Sequence, residues 1–112
     1  MANPVFVTAS PAPSIIVGDI TLDSDAWYGH IQKRHPEVVL WQLKDTLSDP
    51  DYITLSTTVQ GAFVFICEGN TNEYQDPLVV TVLPLDDGSN IVTTAYYDED
   101  YWRHQPTVWS RP

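Results

Sequence analysis

The segment at residues 30–37, with the sequence HIQKRHPE, concentrates side chains that transfer protons or hold a phosphate. On a helix, His30 and Arg34 share a face because they lie four residues apart. Histidine exchanges protons near neutral pH, and a guanidinium binds a phosphate through two parallel hydrogen bonds. Ribose-directed RNA cleavage needs a base for the 2′-hydroxyl, an acid for the leaving oxygen and nearby positive charge. The alternative interpretation is a solvated helix end whose cations favour the helix dipole.

Two hydroxyl side chains downstream are candidates for the opposite wall of such a site. In the run IVTTAYY at residues 91–97, Thr94 and Tyr96 alternate along a predicted strand and therefore point to one face. Both hydroxyls can donate a hydrogen bond to a phosphate. Threonine and tyrosine are also favoured strand residues, so the pair belongs to a site only if the first helix lies across that face.

Three histidines raise the alternative of a metal site. His30 and His35 are five residues apart, which places them about 140° apart around an ideal helix and prevents them from sharing one ion easily. His104 is distant in the sequence. The lone Cys67 lies in a strongly apolar run, where a cysteine is usually inert packing. We therefore predict no metal ion and no cofactor.

Two helices are predicted before residue 50. Asp23 or Ser24 is a suitable N-cap for the first helix, and Pro36 disfavours α conformation at His35, so that this helix ends there. Pro36 also suits the first turn of a second helix. The predicted core-facing positions of the two helices are Trp27, Ile31, Val39, Leu40, Leu43 and Leu47.

Beyond residue 51 the hydrophobic pattern changes to alternation in residues 52–59 and to a continuous apolar run in residues 62–67, both of which predict strands. The four runs are residues 52–59, 62–67, 78–83 and 91–97. Short polar connections favour an antiparallel meander, and residues 5–7 and 14–17 are candidate edge segments. We predict an α+β fold with two N-terminal helices packed on a four-stranded antiparallel sheet. It forms a single domain over residues 1–112, with a core at about 20–100 and an aromatic C-terminal tail.

The charge of the chain restricts its partners. Fifteen acidic residues against five Lys and Arg give a formal net charge of −10, which argues against a broad nucleic-acid-binding surface. The basic residues lie before residue 45 and after residue 102, with none between. If the fold brings these regions together, we expect Lys33, Arg103 and His104 to bind the substrate. An acidic body also suits a basic protein partner, such as an inhibitor.

Several segments, taken in order, resemble the phage-type barnase–EndoU–colicin–RelE-like (BECR fold) nucleases. They are HI with RHPE at residues 30–37, DPD with an isoleucine at 49–53, LVV at 78–80 and IVTTAY at 91–96. The resemblance covers roughly residues 24–97. It implies helices followed by a four-stranded antiparallel sheet. It also implies a metal-independent ribonuclease that acts as a toxin or as a phage or mobile-element effector.

The same resemblance assigns roles to individual residues. It implies that His30 and His35 act as acid and base, that Arg34 clamps the phosphate, and that Thr94 and Tyr96 form the opposing wall. The expected substrate is RNA, with tRNA among the candidates. The expected protein partner is a cognate inhibitor, as in a toxin–antitoxin pair.

A second class of function remains open from the residues alone. The chain could be a non-catalytic acidic binding module, or a nucleic-acid mimic that inhibits a basic protein. A buried His30 with a structural hydrogen bond would favour the binding module. An open cleft lined by His30, Arg34, Thr94 and Tyr96 would favour the enzyme.

The location of the protein is predicted from its ends and its cysteine content. Residues 1–14 lack a charged start followed by a long apolar run, so we expect no signal peptide. No stretch approaches the roughly 18 apolar residues of a membrane span, so we expect no membrane partner. A lone cysteine suits the reducing cytoplasm, which is the predicted location.

Overall fold

The computed structural model describes residues 3–112 and, within them, arranges seven strands in one mixed sheet. The strands are β1 (Pro4–Ala9), β2 (Asp19–Asp23), β3 (Tyr52–Leu55), β4 (Phe63–Thr71), β5 (Pro77–Pro84), β6 (Asn90–Tyr97) and β7 (Thr107–Ser110). Their order across the sheet is β1-β2-β6-β5-β4-β3-β7. Neighbouring strands are antiparallel except β2 and β6, which are parallel.

Strands β3 to β6 correspond to the four runs predicted from the sequence, although β3 ends at Leu55, four residues before the predicted end. Phe65, Val80 and Ala95 lie in register on three adjacent strands and are fully buried, so they form the centre of the main core. Val79 and Tyr96 lie in register on the opposite face, where a smaller second core forms. Both faces of this part of the sheet are therefore at least partly covered.

The predicted fold class is wrong. The helices do not precede a four-stranded antiparallel sheet, because β1 and β2 come before them and β7 follows β6 in the chain. Strand β2 buries Ile20 and Leu22 completely, a short alternating signal that the prediction passed over. Pairing of β2 with β6 joins residues about 70 positions apart, which no local pattern indicates. The fold that the family resemblance implied is wrong in the same respects.

The predicted edge segments have different outcomes. Residues 5–7 lie in β1, which is an edge strand of the sheet. Residues 14–17 belong to the loop between β1 and β2 rather than to a strand. The main chain turns back at Ala12, whose carbonyl accepts hydrogen bonds from the amides of Ile15 and Ile16.

The first helical segment, residues 24–34, is irregular. It consists of α1 (Ser24–Ala26), a π turn (Trp27–Ile31) and α2 (Gln32–Arg34). The predicted N-cap is confirmed, since the Asp23 carboxylate accepts a hydrogen bond of 2.8 Å from the Ala26 amide. The predicted end before Pro36 is confirmed as well. Trp27 and Ile31 are buried in the main core, as their spacing predicted.

The second helix, α3 (Leu40–Ser48), begins four residues later than predicted. Pro36 lies in a turn closed by a 3.1 Å hydrogen bond from the Val38 amide to the His35 carbonyl. Val39 is extended, and its side chain is 40% exposed. The core-facing positions Leu43 and Leu47 are fully buried, as predicted, whereas Leu40 is 36% exposed.

The helices of residues 3–112 are all short. The longest of them, α3, has nine residues. No helix in this part of the chain combines the length and the apolar character that crossing a bilayer requires.

Candidate functional site

The π turn includes the first of the two histidines of this segment. Its backbone hydrogen bond runs from the Gln32 amide to the Trp27 carbonyl, which is the i→i+5 pattern of a π-helix. His35 follows the segment in a non-helical conformation, with φ −136° and ψ 61°. The rings of His30 and His35 are neighbours, edge to face, with 6.1 Å between centroids. The angle of about 140° applies to an ideal α-helix, and this segment is not one.

The helical segment lies along an edge of β6 that β2 leaves open. Strand β2 pairs with β6 only at Ile20–Asn90 and Thr21–Ile91. Beyond these pairs, the π turn and α1 contact β6 in place of a strand. Trp27 and Ile31 point into the main core on one face of the sheet.

His30 and His35 reach the opposite face of the same strand. The His30 Nε2 atom is 3.0 Å from Thr94 Oγ1, a contact between residues 64 positions apart. The His35 ring lies against the Tyr96 ring, with centroids 5.5 Å apart and planes tilted by 34°. Thr94 and Tyr96 alternate with the buried Ala95, so both lie on the face away from the main core. We name these four residues, His30, His35, Thr94 and Tyr96, the histidine site.

The histidine site is half-buried. All four of its side chains have intermediate exposure. The pKa of Tyr96 is raised above its usual value by burial, and further by the nearby charges of Asp98 and Tyr101. Its phenol therefore stays protonated near neutral pH and can donate a hydrogen bond. A buried His30 with a structural hydrogen bond was the expectation for a binding module, and an accessible His30 was the expectation for an enzyme. His30 has a hydrogen bond to Thr94 and is still partly accessible, so it meets part of each expectation.

Lys33 and Arg34 are exposed at the end of the helical segment, next to His35. The ion pairs within residues 3–112 involve Arg103, His104 and Arg111, and neither Lys33 nor Arg34 takes part. In the described chain both cations are thus available to an incoming anion. A guanidinium adjacent to a histidine is suited to bind a phosphate that the histidine also contacts.

Arg103 and His104 lie close to carboxylates of the protein instead. They lie in a 3₁₀ turn (Tyr101–His104) that covers the small second core. The Arg103 guanidinium is 3.6 Å from Glu68 and 3.5 Å from Asp100, and His104 is 3.9 Å from Asp100. No ion pair or hydrogen bond in the described chain joins either residue to the histidine site. A substrate-binding role for them stays a prediction.

Trp102 is a residue of this sheet face that sequence reasoning missed. It is 4% exposed and contacts the same small core as Tyr96. Its ring stacks on Tyr52 at 5.4 Å, and the Arg103 guanidinium lies 4.5 Å from its centre. Within residues 3–112, its indole Nε1 is buried without a hydrogen-bond partner. The aromatic character of the tail was visible in the sequence, but its position on the sheet was not.

The remaining candidates for chemistry do not assemble into a second site. Cys67 is half-buried on β4, and burial raises the pKa of its thiol, which fits an unreactive packing role. Among the residues that the structure describes, no three His, Cys, Asp or Glu side chains are grouped as metal ligands.

The family resemblance rests on residues 24–97, and the histidine site contains residues from its first and last segments. Comparison with known proteins leaves this resemblance untested. No family model, no curated protein and no solved structure matches the chain.

Proposed function

We propose that the chain is a metal-independent endoribonuclease whose active centre is the histidine site. The observation that carries the proposal is the convergence of His30 and His35 with Thr94 and Tyr96 on one partly accessible face of β6. Two imidazoles 6.1 Å apart can each contact a different oxygen of one phosphodiester. This is the arrangement that general acid–base cleavage of RNA requires.

The proposed reaction is transesterification by the 2′-hydroxyl. One imidazole, in its neutral form, accepts the 2′-hydroxyl proton as the 2′-oxygen attacks phosphorus. The bond between phosphorus and the 5′-oxygen breaks, and the other imidazole, in its protonated form, donates a proton to that oxygen. The products are a 2′,3′-cyclic phosphate and a 5′-hydroxyl. His30 and His35 both remain candidates for either role.

The neighbouring residues would orient the imidazoles and stabilise charge. The Thr94 hydroxyl holds one ring nitrogen of His30, which restricts the rotation of that ring. The Tyr96 ring supports His35, and its protonated phenol is a donor for a phosphate oxygen. Arg34 and Lys33 would supply positive charge as negative charge develops on the phosphate.

The net charge of −10 limits the kind of substrate. A chain with this field and two available cations near the site contacts few phosphates at once. We therefore propose cleavage of short single-stranded regions of RNA, such as loops, where tRNA is one candidate. A role as a cytoplasmic toxin or effector, restrained by an inhibitor protein, extends this proposal through the family resemblance.

The test compares the wild-type chain with His30→Ala and His35→Ala. Each protein is incubated in EDTA with a labelled single-stranded RNA, and the products are separated on a denaturing gel. The control is Glu73→Ala, an exposed loop residue remote in sequence from the histidine site. Circular dichroism and thermal melting establish that every variant is folded.

Loss of one general acid or base is expected to lower the rate about 10²- to 10⁴-fold. Glu73→Ala should keep the wild-type rate, and the products should carry 2′,3′-cyclic phosphates. An RNA with a 2′-deoxy residue at the cleavage position should resist cleavage. Equal rates for the wild type and both histidine variants would assign the cleavage to a contaminant and refute the proposal.

The second candidate function is an acidic binding module for a basic protein. The observation that favours it is the large acidic excess, together with the pairing of Arg103 with two carboxylates. The same assay distinguishes the two functions. Absence of cleavage by folded wild-type chain, at high protein and low salt, would favour the binding module.

A further inference from the structure

Strand β1 gives the sheet an accessible edge. Within the described residues it pairs with β2 on one side and with no strand on the other. An edge strand presents unpaired backbone donors and acceptors, which can hydrogen-bond to an added strand. Pro4 and a bulge occupy the start of the strand, so Phe6 to Ala9 form its regular part. Val7 is 49% exposed.

An apolar groove runs between this edge and helix α3. Its volume is about 430 Å³, and its lining residues are Val5, Phe6, Leu40, Trp41 and Lys44. Trp41 is 64% exposed, although it is a large aromatic residue. The Lys44 ammonium lies 5.8 Å above the Phe6 ring. The groove can therefore accommodate an apolar side chain next to a free strand edge.

A second, smaller cavity shares Trp41 and Lys44 with the lining of the groove. It has a volume of about 270 Å³ and is lined by Trp41, Lys44, Asp45 and Ser48. Lys44 and Asp45 contribute opposite charges to its lining, so it is the exposed indole that attracts a lysine or arginine side chain, through cation–π attraction.

Two carboxylates lie close to the edge strand. Asp19 and Asp23 lie at the two ends of β2, opposite Ala9 and Pro4 of β1. No Lys or Arg occurs before residue 33. An added strand would lie about 10 Å from β2, which long basic side chains can span and which is comparable to the Debye length of about 8 Å at physiological salt.

We propose that β1 and this groove bind an extended, basic segment of a partner protein. The segment adds to the sheet as a strand beside β1 and inserts an apolar side chain between β1 and α3. Its lysine or arginine residues meet the Trp41 indole and the carboxylates at the ends of β2. This inference does not depend on the ribonuclease proposal.

A second copy of this chain is the less suitable occupant. Each copy carries a formal charge of −10, so two edges brought together would repel each other. The sequence on β1 itself, PVFVTA, contains no basic residue to offset this repulsion. The charge thus selects a basic partner over self-association.

The test uses nuclear magnetic resonance of the isotope-labelled full chain with three synthetic octapeptides. The first alternates valine and lysine, the second alternates valine and glutamate, and the third has the composition of the first in two blocks. The first peptide should shift the amide signals of residues 5–9 and the Trp41 indole signal, and it should slow hydrogen exchange in β1. The second should cause no shift, and the third should bind at least tenfold more weakly.

A matched pair of exposed aromatic residues locates the binding. Trp41→Ala should weaken binding of the valine–lysine peptide at least tenfold, whereas Tyr74→Ala, at a position 75% exposed on the β4–β5 loop, should leave it unchanged. Equal binding of the acidic and basic peptides, shifts confined to other surfaces, or no shift at millimolar peptide would each overturn the proposal. Dimerisation of the chain that Trp41→Ala abolishes would overturn it in favour of a second copy.

Discussion

Thr94 makes the contact that joins the helical segment to the sheet within the histidine site. Its hydroxyl is 3.0 Å from His30 Nε2, so one ring nitrogen is held by the protein and the other is left for a substrate. A hydrogen bond of this kind contributes about 1 kcal/mol net. Its larger effect would be on the orientation of the ring, because proton transfer depends on the position of the nitrogen.

Thr94→Val tests this orienting role. Valine keeps the shape and the strand preference of threonine but removes the hydroxyl. We expect kcat for RNA cleavage to fall about tenfold, equivalent to about 1.4 kcal/mol, with a smaller change in KM. Thr93→Val is the matched control, since Thr93 does not contact His30. A wild-type kcat for Thr94→Val would show that the hydrogen bond does not orient the catalytic ring.

Trp102 is the second residue for which the structure predicts the effect of a substitution. It is stacked between Tyr52 and Arg103, and its Nε1 is buried without a partner in residues 3–112. A buried donor without a partner costs about 1–3 kcal/mol. The area that the ring buries offsets this cost.

Trp102→Phe should therefore be tolerated far better than Trp102→Ala. Phenylalanine retains much of the stacking and removes the unpaired donor, so we expect a change in unfolding free energy within about 1 kcal/mol. Alanine should cost about 3–5 kcal/mol because it leaves a cavity over the small second core. Urea denaturation measures both values. Similar losses for the two variants would mean that the indole nitrogen has a partner in solution.

At the scale of the element, the π turn sets how both histidines are directed towards β6. A π turn in an α-helix accommodates one extra residue relative to the regular repeat. Removing that residue would rotate the following part of the helix by about 100°. Gly29 lies inside this turn, and a Cβ atom added there would meet nothing within 4 Å.

Two changes at Gly29 distinguish the effect of the width of the turn from the effect of the residue type at this position. Gly29→Ala should increase the unfolding free energy by about 0.5–1 kcal/mol, since alanine favours the helix and fits the open space, and it should preserve cleavage. Deletion of Gly29 should restore a regular helix, rotate both histidines away from Thr94 and Tyr96, and lower cleavage at least a hundredfold. Melting curves and the RNA assay measure the two effects. Full activity in the deletion variant would exclude the π turn from the mechanism.

At the scale of the whole molecule, local signals explain what could be predicted. The elements β3 to β6 could be predicted because each contains its own run rich in apolar and β-branched residues, bounded by turn residues. The pairing of β2 with β6 and the position of β7 could not, since they depend on contacts across 50 or more residues. The residues of the histidine site could be proposed from their types. Their arrangement could not, because no sequence rule located the π turn or the contacts of His30 and His35 with β6.

The charge of the molecule leads to the last prediction. Binding of single-stranded nucleic acid weakens with salt at a logarithmic slope of about −0.7 for each phosphate contacted. Lys33 and Arg34 are the cations beside the histidine site that form no ion pair in the described chain. Two contacts predict a slope of about −1.4, or a loss of about sevenfold in affinity between 50 and 200 mM salt.

Long-range repulsion from the net charge of −10 acts in the opposite direction, because salt screens it. We therefore expect kcat/KM on a short single-stranded RNA to fall less than about tenfold over this range of salt. The double variant Lys33→Gln with Arg34→Gln should remove the attractive contribution, so that kcat/KM is lower throughout and rises with salt. A loss of a hundredfold or more in the wild type would mean that many more cations contact the RNA, and that Arg103 and His104 leave their carboxylate partners to join them.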